Sequence, residues 1–320
     1  NIFYYFMRAI LFPGQGSQYV GMGSDFYEKF DLVKKIFRTV DESLGFSLSK
    51  FILNGPENEL KLTKHTQPAI MTVGVSIFNV LNQEYGFNLN NAKFFAGHSL
   101  GEYTALVCAG SLTLEKATYL LHERGKFMQK AVAPGQGAMI AILGMTIDDV
   151  QKEINLLPKK EICEIANDNS NTQVVVSGEK MVIEILSENL KKKKKKSILL
   201  PVSAPFHCSL MKKSAENMED KIMNTNFLKP FPKIISNVTA SEEDDVTKIK
   251  PLLIDQITSR VRWRESIVYM VEKGINNFVE IGPGKVLSGL VKKINKEVKI
   301  FNINNFDDIN QYIKNDKFQK

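Results

Sequence analysis

The stretch Ala96-Gly97-His98-Ser99-Leu100-Gly101-Glu102-Tyr103 decides how the rest of this chain is read. A serine stands between glycines two residues to either side. The apolar run 94–96 leads in and a helix-compatible run, 102–109, leads out. Strand, sharp turn and helix is the order of a nucleophile elbow, which holds its serine in a strained backbone conformation at the positive end of a helix. The glycines let the chain pass close to itself where a Cβ would clash. The spacing alone also fits a glycine-serine turn that caps a helix; the apolar flanks favour the elbow. The fold class expected from it is α/β, with a parallel sheet that carries the elbow.

The remaining sequence bounds that reading. The chain has 320 residues, of which 43% are hydrophobic and 24% charged. That is enough for one large domain or two unequal ones with a real core. Cys108, Cys163 and Cys208 show neither disulfide-like nor metal-like spacing, so no disulfide framework and no metal site is expected. No apolar run reaches the ~18 residues of a spanning helix, so no membrane span is expected. The formal net charge is +7, and six lysines stand together at 191–196. The basic excess is therefore local; it reads as a solvated loop and not as a nucleic-acid surface. Residues 1–6 are short and apolar. They read as the remnant of a removed targeting segment, which would place the protein in a plastid-type organelle, or else as an arbitrary start, which leaves the cytoplasm.

In chain order, 9–12 reads as a buried strand ending in Pro13-Gly14-Gln15-Gly16-Ser17-Gln18. Tyr19 occupies the third glycine position of a dinucleotide fingerprint, so that reading fails. The turn still exposes backbone N–H groups, that of Gln15 among them, which can serve an oxyanion. Residues 25–44 read as one helix, 67–85 as an apolar helix opened by Gln67-Pro68, and 114–132 as a long helix capped by Thr113. Between 134 and 202 the order is β-α-β-β-α-β, that of a ferredoxin-like insert. Residues 1–133 and 203–320 would then form the large domain and 134–202 the small one, with a cleft between them. Further on, 234–237 and 278–281 read as strands, Ser266 as a helix cap, and 301–320 as a polar tail, docked or frayed. Gly284-Lys285 lacks the other residues of a phosphate-binding loop.

Two residue types bear on chemistry. On the 114–132 helix the apolar stripe is Ala117, Leu120, Leu121, Met128 and Ala131, and at about 100° per residue Arg124 falls in its middle. A guanidinium there needs an anion: either an internal carboxylate or a substrate carboxylate gripped bidentately. A serine nucleophile needs a base, and the chain has four histidines. His122 falls on the polar side of its helix, and His65 lies in what reads as a polar surface loop. His98 neighbours Ser99 and diverges from it, which suits a supporting role. His207, after an apolar strand and Pro205, remains. No acid stands out as a triad member, so a Ser99–His207 dyad oriented by a backbone carbonyl is the better reading, and it suffices for acyl transfer.

Five ordered motifs then meet a family. They are Phe12-Pro13-Gly14-Gln15-Gly16-Ser17-Gln18, Gly97-His98-Ser99-Leu100-Gly101-Glu102-Tyr103, Arg124-Gly125-Lys126-Phe127-Met128, Pro205-Phe206-His207-Cys208 and Glu280-Ile281-Gly282-Pro283-Gly284-Lys285. From about 9 to about 302 the chain resembles the malonyl-CoA:acyl carrier protein transacylases. The resemblance implies a large α/β-hydrolase-like domain with a small ferredoxin-like α+β subdomain. It implies Ser99 as the nucleophile, His207 as the base, Arg124 as the partner of the malonyl carboxylate, and Gln15 and Leu100 as oxyanion N–H donors. It further implies that the Gln256 carbonyl orients His207 and that His98 and Asn167 support the site. Malonyl-CoA and acyl carrier protein would be the partners of a monomer that needs no cofactor. Two departures stand: Phe206 replaces a serine common in bacterial members, and the lysine run alters a surface loop. Two other functions are weighed against this one. A serine esterase or thioesterase is disfavoured by the missing acid and by Arg124, and an inactive carrier-docking domain by the intact Ser99, His207 and Arg124.

Overall fold

A computed structural model describes residues 7–158, 160–202 and 204–315. The apolar stretch 1–6, the last five residues of the polar tail and Ser203, where the second part of the large domain was expected to begin, lie outside the described residues. Among the described residues ten strands occur: β1 (Arg8–Phe12), β2 (Phe94–Gly97), β3 (Gly137–Leu143), β4 (Cys163–Ser170), β5 (Gln173–Glu179), β6 (Lys196–Leu199), β7 (Lys233–Ile235), β8 (Glu242–Glu243), β9 (Asn277–Ile281) and β10 (Lys299–Ile303).

They form two sheets. The larger runs β10-β9-β1-β2-β7-β8. Its pairings are parallel except for β7 with β8. Apart from half-buried Arg8, its central strands are buried, as strands covered on both faces must be; β9 buries Asn277 and Glu280 among its apolar residues. Phe12, Phe78 and Phe95 meet edge-on or tilted in the core beneath it. The smaller sheet runs β4-β5-β3-β6 and is antiparallel throughout, the strand order of a ferredoxin-like unit. One face carries Ile140, Ile142, Val174 and Val176 against the helices Ile147–Asn155 and Lys180–Lys192. The other face sends Met139, Ala141, Ala166 and Val175 into the main core. The small sheet is thus packed onto the main core, and β4 is bridged through Asn167 to Val261, in the segment just before the Trp263–Glu272 helix.

Several expectations need correction. The apolar helix begins a turn earlier than Gln67, at Thr63–Gln83. His65 therefore lies within that helix, 5% exposed, and not in a surface loop. Its ring packs beside Phe46 and Phe51, and its Nδ1 meets the Glu59 carbonyl at 2.9 Å. The segment 25–44 is two helices, Ser24–Lys29 and Asp31–Leu44, broken at the extended Phe30. Ser266 is inside the Trp263–Glu272 helix, where its hydroxyl donates to the Arg262 carbonyl. Half of the lysine run is loop: Lys191 and Lys192 end a helix, 193–195 turn, and Lys196 opens β6, with all six exposed as expected. The described part of the tail is ordered as β10 and the Phe306–Asn315 helix, with Ile309 and Tyr312 buried. Among the described residues no helix is long and apolar enough to cross a membrane.

Candidate active site

The elbow forms where β2 turns into the Gly101–Cys108 helix. Ser99 has φ 54°, the left-handed region a non-glycine residue enters only at a cost. The flanking glycines are required by contact. A Cβ on Gly97 would fall 1.9 Å from the Gly101 carbonyl, and one on Gly101 would fall 2.3 Å from the Phe12 carbonyl oxygen. Asn237, in the turn after β7, clamps the bend from outside. Its Oδ1 accepts from the Ser99 N–H at 2.7 Å, and its Nδ2 donates to the Gly97 carbonyl at 2.8 Å.

His207 also has a left-handed backbone, φ 57°. Its loop is held by the small sheet: the Ser177 hydroxyl on β5 donates to the Phe206 carbonyl at 2.6 Å. His207 Nδ1 lies 2.8 Å from the Gln256 carbonyl oxygen. A carbonyl only accepts, so the proton sits on Nδ1 and Nε2 is free to accept. The Ser99 hydroxyl donates to that Nε2 at 2.8 Å. Burial, and then the Arg124 field, push the His207 pKa down to about 3, so the imidazole is neutral.

Arg124 reaches the same point from the Leu114–Lys130 helix. It is 1% exposed. Its Nη1 donates to Gln67 Oε1 at 2.7 Å; its Nη2 donates to Gln256 Oε1 at 2.9 Å and to Ser99 Oγ at 3.1 Å. Every acceptor is neutral, and Nε has no partner among the described residues. An internal ion pair, one of the two readings of a buried arginine, is not formed. The guanidinium lies against the serine with its charge unmatched by direct contact.

The expected oxyanion donors lie at the same bend. A Cβ on Gly14 would come 2.6 Å from the His98 carbonyl oxygen, so the turn that holds Gln15 rests on the elbow. The Gly16 N–H is taken by Gln18 Oε1, and the Gly101 and Glu102 N–H groups by the His98 and Ser99 carbonyls. Among the described residues no acceptor takes the N–H of Gln15 or of Leu100. His98 Nε2 meets Asn169 Oδ1 at 2.8 Å, and its ring lies 5.5 Å from that of Trp263. The asparagine that touches His98 is thus Asn169, two residues beyond Asn167, which is buried at the Val261 bridge. Asp168 between them is fully buried and takes a bidentate grip from Arg264, which ties β4 to the Trp263–Glu272 helix.

Sequence reasoning missed Gln67, Asn169, Asn237 and Glu102 as parts of the site. Glu102 is an acid beside the elbow, but it does not contact His207; its Oε2 accepts from Gln256 Nε2 at 2.7 Å and from the Asn237 N–H at 3.1 Å. No triad acid is needed, because the Gln256 carbonyl holds the imidazole.

The chain as a whole has known counterparts. Residues 10–317 match the family described as "Acyl transferase domain". The chain is 42% identical over 293 residues to the malonyl CoA-acyl carrier protein transacylase of Bacillus subtilis, covering 91% of each protein. It is 38% identical over 287 residues to that of Escherichia coli K12, covering 89% of this chain and 92% of the relative. Among solved structures, the acyl-carrier-protein-S-malonyltransferase of Bartonella henselae superposes with a TM-score of 0.92 at 41% identity, over 96% of this chain and 98% of the other. A malonyl-transacylase in complex with its type II PKS acyl-carrier protein superposes with a TM-score of 0.92 at 36% identity, over 97% of this chain and 98% of the other.

Proposed function

This chain belongs to the acyl transferase family, and we propose that it moves malonyl from malonyl-CoA to the phosphopantetheine thiol of acyl carrier protein through an ester on Ser99, so supplying malonyl carrier for fatty-acid elongation. The observation that carries the reading is the meeting of a base and a guanidinium at one serine oxygen. Ser99 Oγ has His207 Nε2 at 2.8 Å and Arg124 Nη2 at 3.1 Å. A base at that distance activates the hydroxyl. A buried guanidinium without a carboxylate beside it favours an acyl group that brings one.

The mechanism follows from these distances. Ser99 Oγ attacks the thioester carbon as His207 Nε2 takes its proton. The negative charge that develops on the thioester oxygen goes to the N–H groups of Gln15 and Leu100, a kind of donor worth roughly 100- to 1,000-fold in rate each. The Gln256 carbonyl keeps Nδ1–H in place and steadies the imidazolium. The collapse expels the CoA thiolate, which takes the proton from His207. The carrier thiol then enters, gives its proton to His207, and attacks the ester; Ser99 recovers its proton as it leaves. Malonyl stays anchored at Arg124 throughout.

Incubation with malonyl-CoA labelled in the malonyl group tests this. Stable label on the protein, discharged by acyl carrier protein and absent in Ser99→Ala, is the expected result. Release as free malonate without transfer would make the protein a hydrolase, and an unlabelled protein would make it a docking domain; either overturns the proposal.

A further inference from the structure

Beside the reacting serine, three side chains form a hydrogen-bonded line, and its middle member, Gln256, also donates from Nε2 to the Ser99 carbonyl at 3.1 Å. Arg124 Nη2 donates to Gln256 Oε1 at 2.9 Å, and Gln256 Nε2 donates to Glu102 Oε2 at 2.7 Å. Exposure is 1% at Arg124, 1% at Gln256 and 2% at Glu102, so water screens none of them. A guanidinium and a carboxylate are both costly to bury alone. Here each meets the complementary end of one amide, the cation its oxygen and the anion its N–H. Both bonds are charge-assisted, and the amide dipole links two charges that do not touch.

We propose that Glu102 is the resident counter-ion of Arg124, acting through the Gln256 amide, and that it gives up this role by taking one proton from solvent when a substrate carboxylate occupies Arg124. The inference rests on the reading of Arg124 as the residue that binds malonyl. The step is a protonation only: carboxylate and proton become carboxylic acid, and no bond to substrate forms. Glu102 acts through Gln256 and Arg124, and is a positioning and specificity residue.

The physical reason is that one guanidinium faces two anions in a dry site once malonyl is bound. Their repulsion is relieved when one of them is neutralised. The malonyl carboxylate has the direct grip, so Glu102 is the one to yield. Burial already holds its carboxyl well up, at about 7, against the Asn237 and Gln256 hydrogen bonds and the Arg124 field. The charged and titratable groups around it are few. Arg124 comes from the Leu114–Lys130 helix and Tyr103 from its own helix; His207, from the loop after the small sheet, is also within the Arg124 field. The neighbours from the turn after β7 and the Val246–Thr258 helix are the neutral Asn237 and Gln256; Gln67, from the Thr63–Gln83 helix, meets Arg124 and is neutral too.

Malonyl binding is then coupled to proton uptake, while binding of acetyl, which brings no carboxylate, is not. The test is the KM for malonyl-CoA divided by that for acetyl-CoA, measured across neutral pH. The CoA phosphates titrate in both substrates and cancel. As pH rises past the Glu102 titration the ratio should climb, by up to about tenfold per pH unit, and Glu102→Gln should hold it flat at its low-pH value. A flat ratio in the unaltered protein, or the same slope in Glu102→Gln, overturns the proposal. Calorimetry on Ser99→Ala does not depend on how Glu102→Gln folds. Titration in two buffers of different ionisation enthalpy should show greater proton uptake with malonyl-CoA than with acetyl-CoA, by up to about one proton. Equal uptake with both overturns the proposal. The underlying reading fails separately: Arg124→Ala would then keep the unaltered protein's preference between the two substrates, whereas intact preference for malonyl without proton uptake sinks the Glu102 step alone.

Discussion

Replacing Arg124 by alanine separates what the guanidinium does for the acyl group from what it does to the base. For malonyl, the variant leaves a carboxylate in a site where the native arginine is 1% exposed, so screening does not soften the loss. Truncating one partner of a buried charge pair costs about 3–5 kcal/mol. At 1.36 kcal/mol per tenfold, malonyl kcat/KM should fall roughly 200- to 5,000-fold. For acetyl no pair is lost. The Arg124 field is the second largest cause, after burial, that depresses His207, so its removal makes the imidazole a better base. Acetyl loading should therefore hold or rise. The assay is single-turnover acylation of Ser99 with each CoA ester, read by intact mass. An equal fall with both substrates would refute the reasoning, because it would mean that Arg124 only holds Gln67 and Gln256 in place.

Three further outcomes are expected. The neutral state of His207 should persist in acid: its imidazole signals, followed by NMR, should titrate near pH 3 and not near 6.5. Because the folded pKa is depressed, the unfolded chain binds the proton first. The stability due to this group is complete above pH 6.5 and is lost as pH falls from there toward 3, which thermal unfolding across that window would detect. Asn237→Ala should free the Ser99 N–H and the Gly97 carbonyl, at about 1–3 kcal/mol of unfolding free energy. It should slow Ser99 acylation with both CoA esters alike, and a loss confined to malonyl would contradict the clamp. Arg264→Ala leaves Asp168 buried and unpaired; allowing for the partial exposure of the arginine, the cost should be on the order of 3 kcal/mol in chemical denaturation. An unchanged midpoint would show that β4 and the Trp263–Glu272 helix are not tied there.

The site was partly legible because three of its devices are local. The elbow is written within five residues, since two glycines must stand where Cβ atoms cannot. Arg124 was visible because a charge amid an apolar stripe has to be answered. His207 emerged by elimination among few histidines. The missed residues act across long distances. Asn237 lies 138 positions from the N–H it holds, and an asparagine in a turn reads as a turn former. Gln67 precedes a proline and reads as a helix start, though it is buried and bonded to Arg124. Asn167 and Asn169 are two positions apart, so strand alternation assigns both to one face and cannot choose between them; the register shifts of β4 against β5 on both sides of Asn167–Asp168 have no signature in the sequence. His65 went wrong because Lys64-His65-Thr66-Gln67 is polar by letter but buried on its inner side. The carbonyl of Gln256 has no sequence signature, since any residue carries one; it entered only through the resemblance.

The left-handed backbones of Ser99 and His207 have a consequence for drift. Each costs about 1–2 kcal/mol against an ordinary conformation, and glycine would adopt either without that cost. By this term alone the most stable versions of this fold are dead ones, with glycine at one or both positions. A library sorted only for thermal resistance should enrich Ser99→Gly, where little side chain is lost, and one sorted for turnover should purge it; at His207 the same exchange would also empty the site of a buried ring. The distance between the two outcomes would measure how much stability the fold gives up to keep its reacting atoms facing each other.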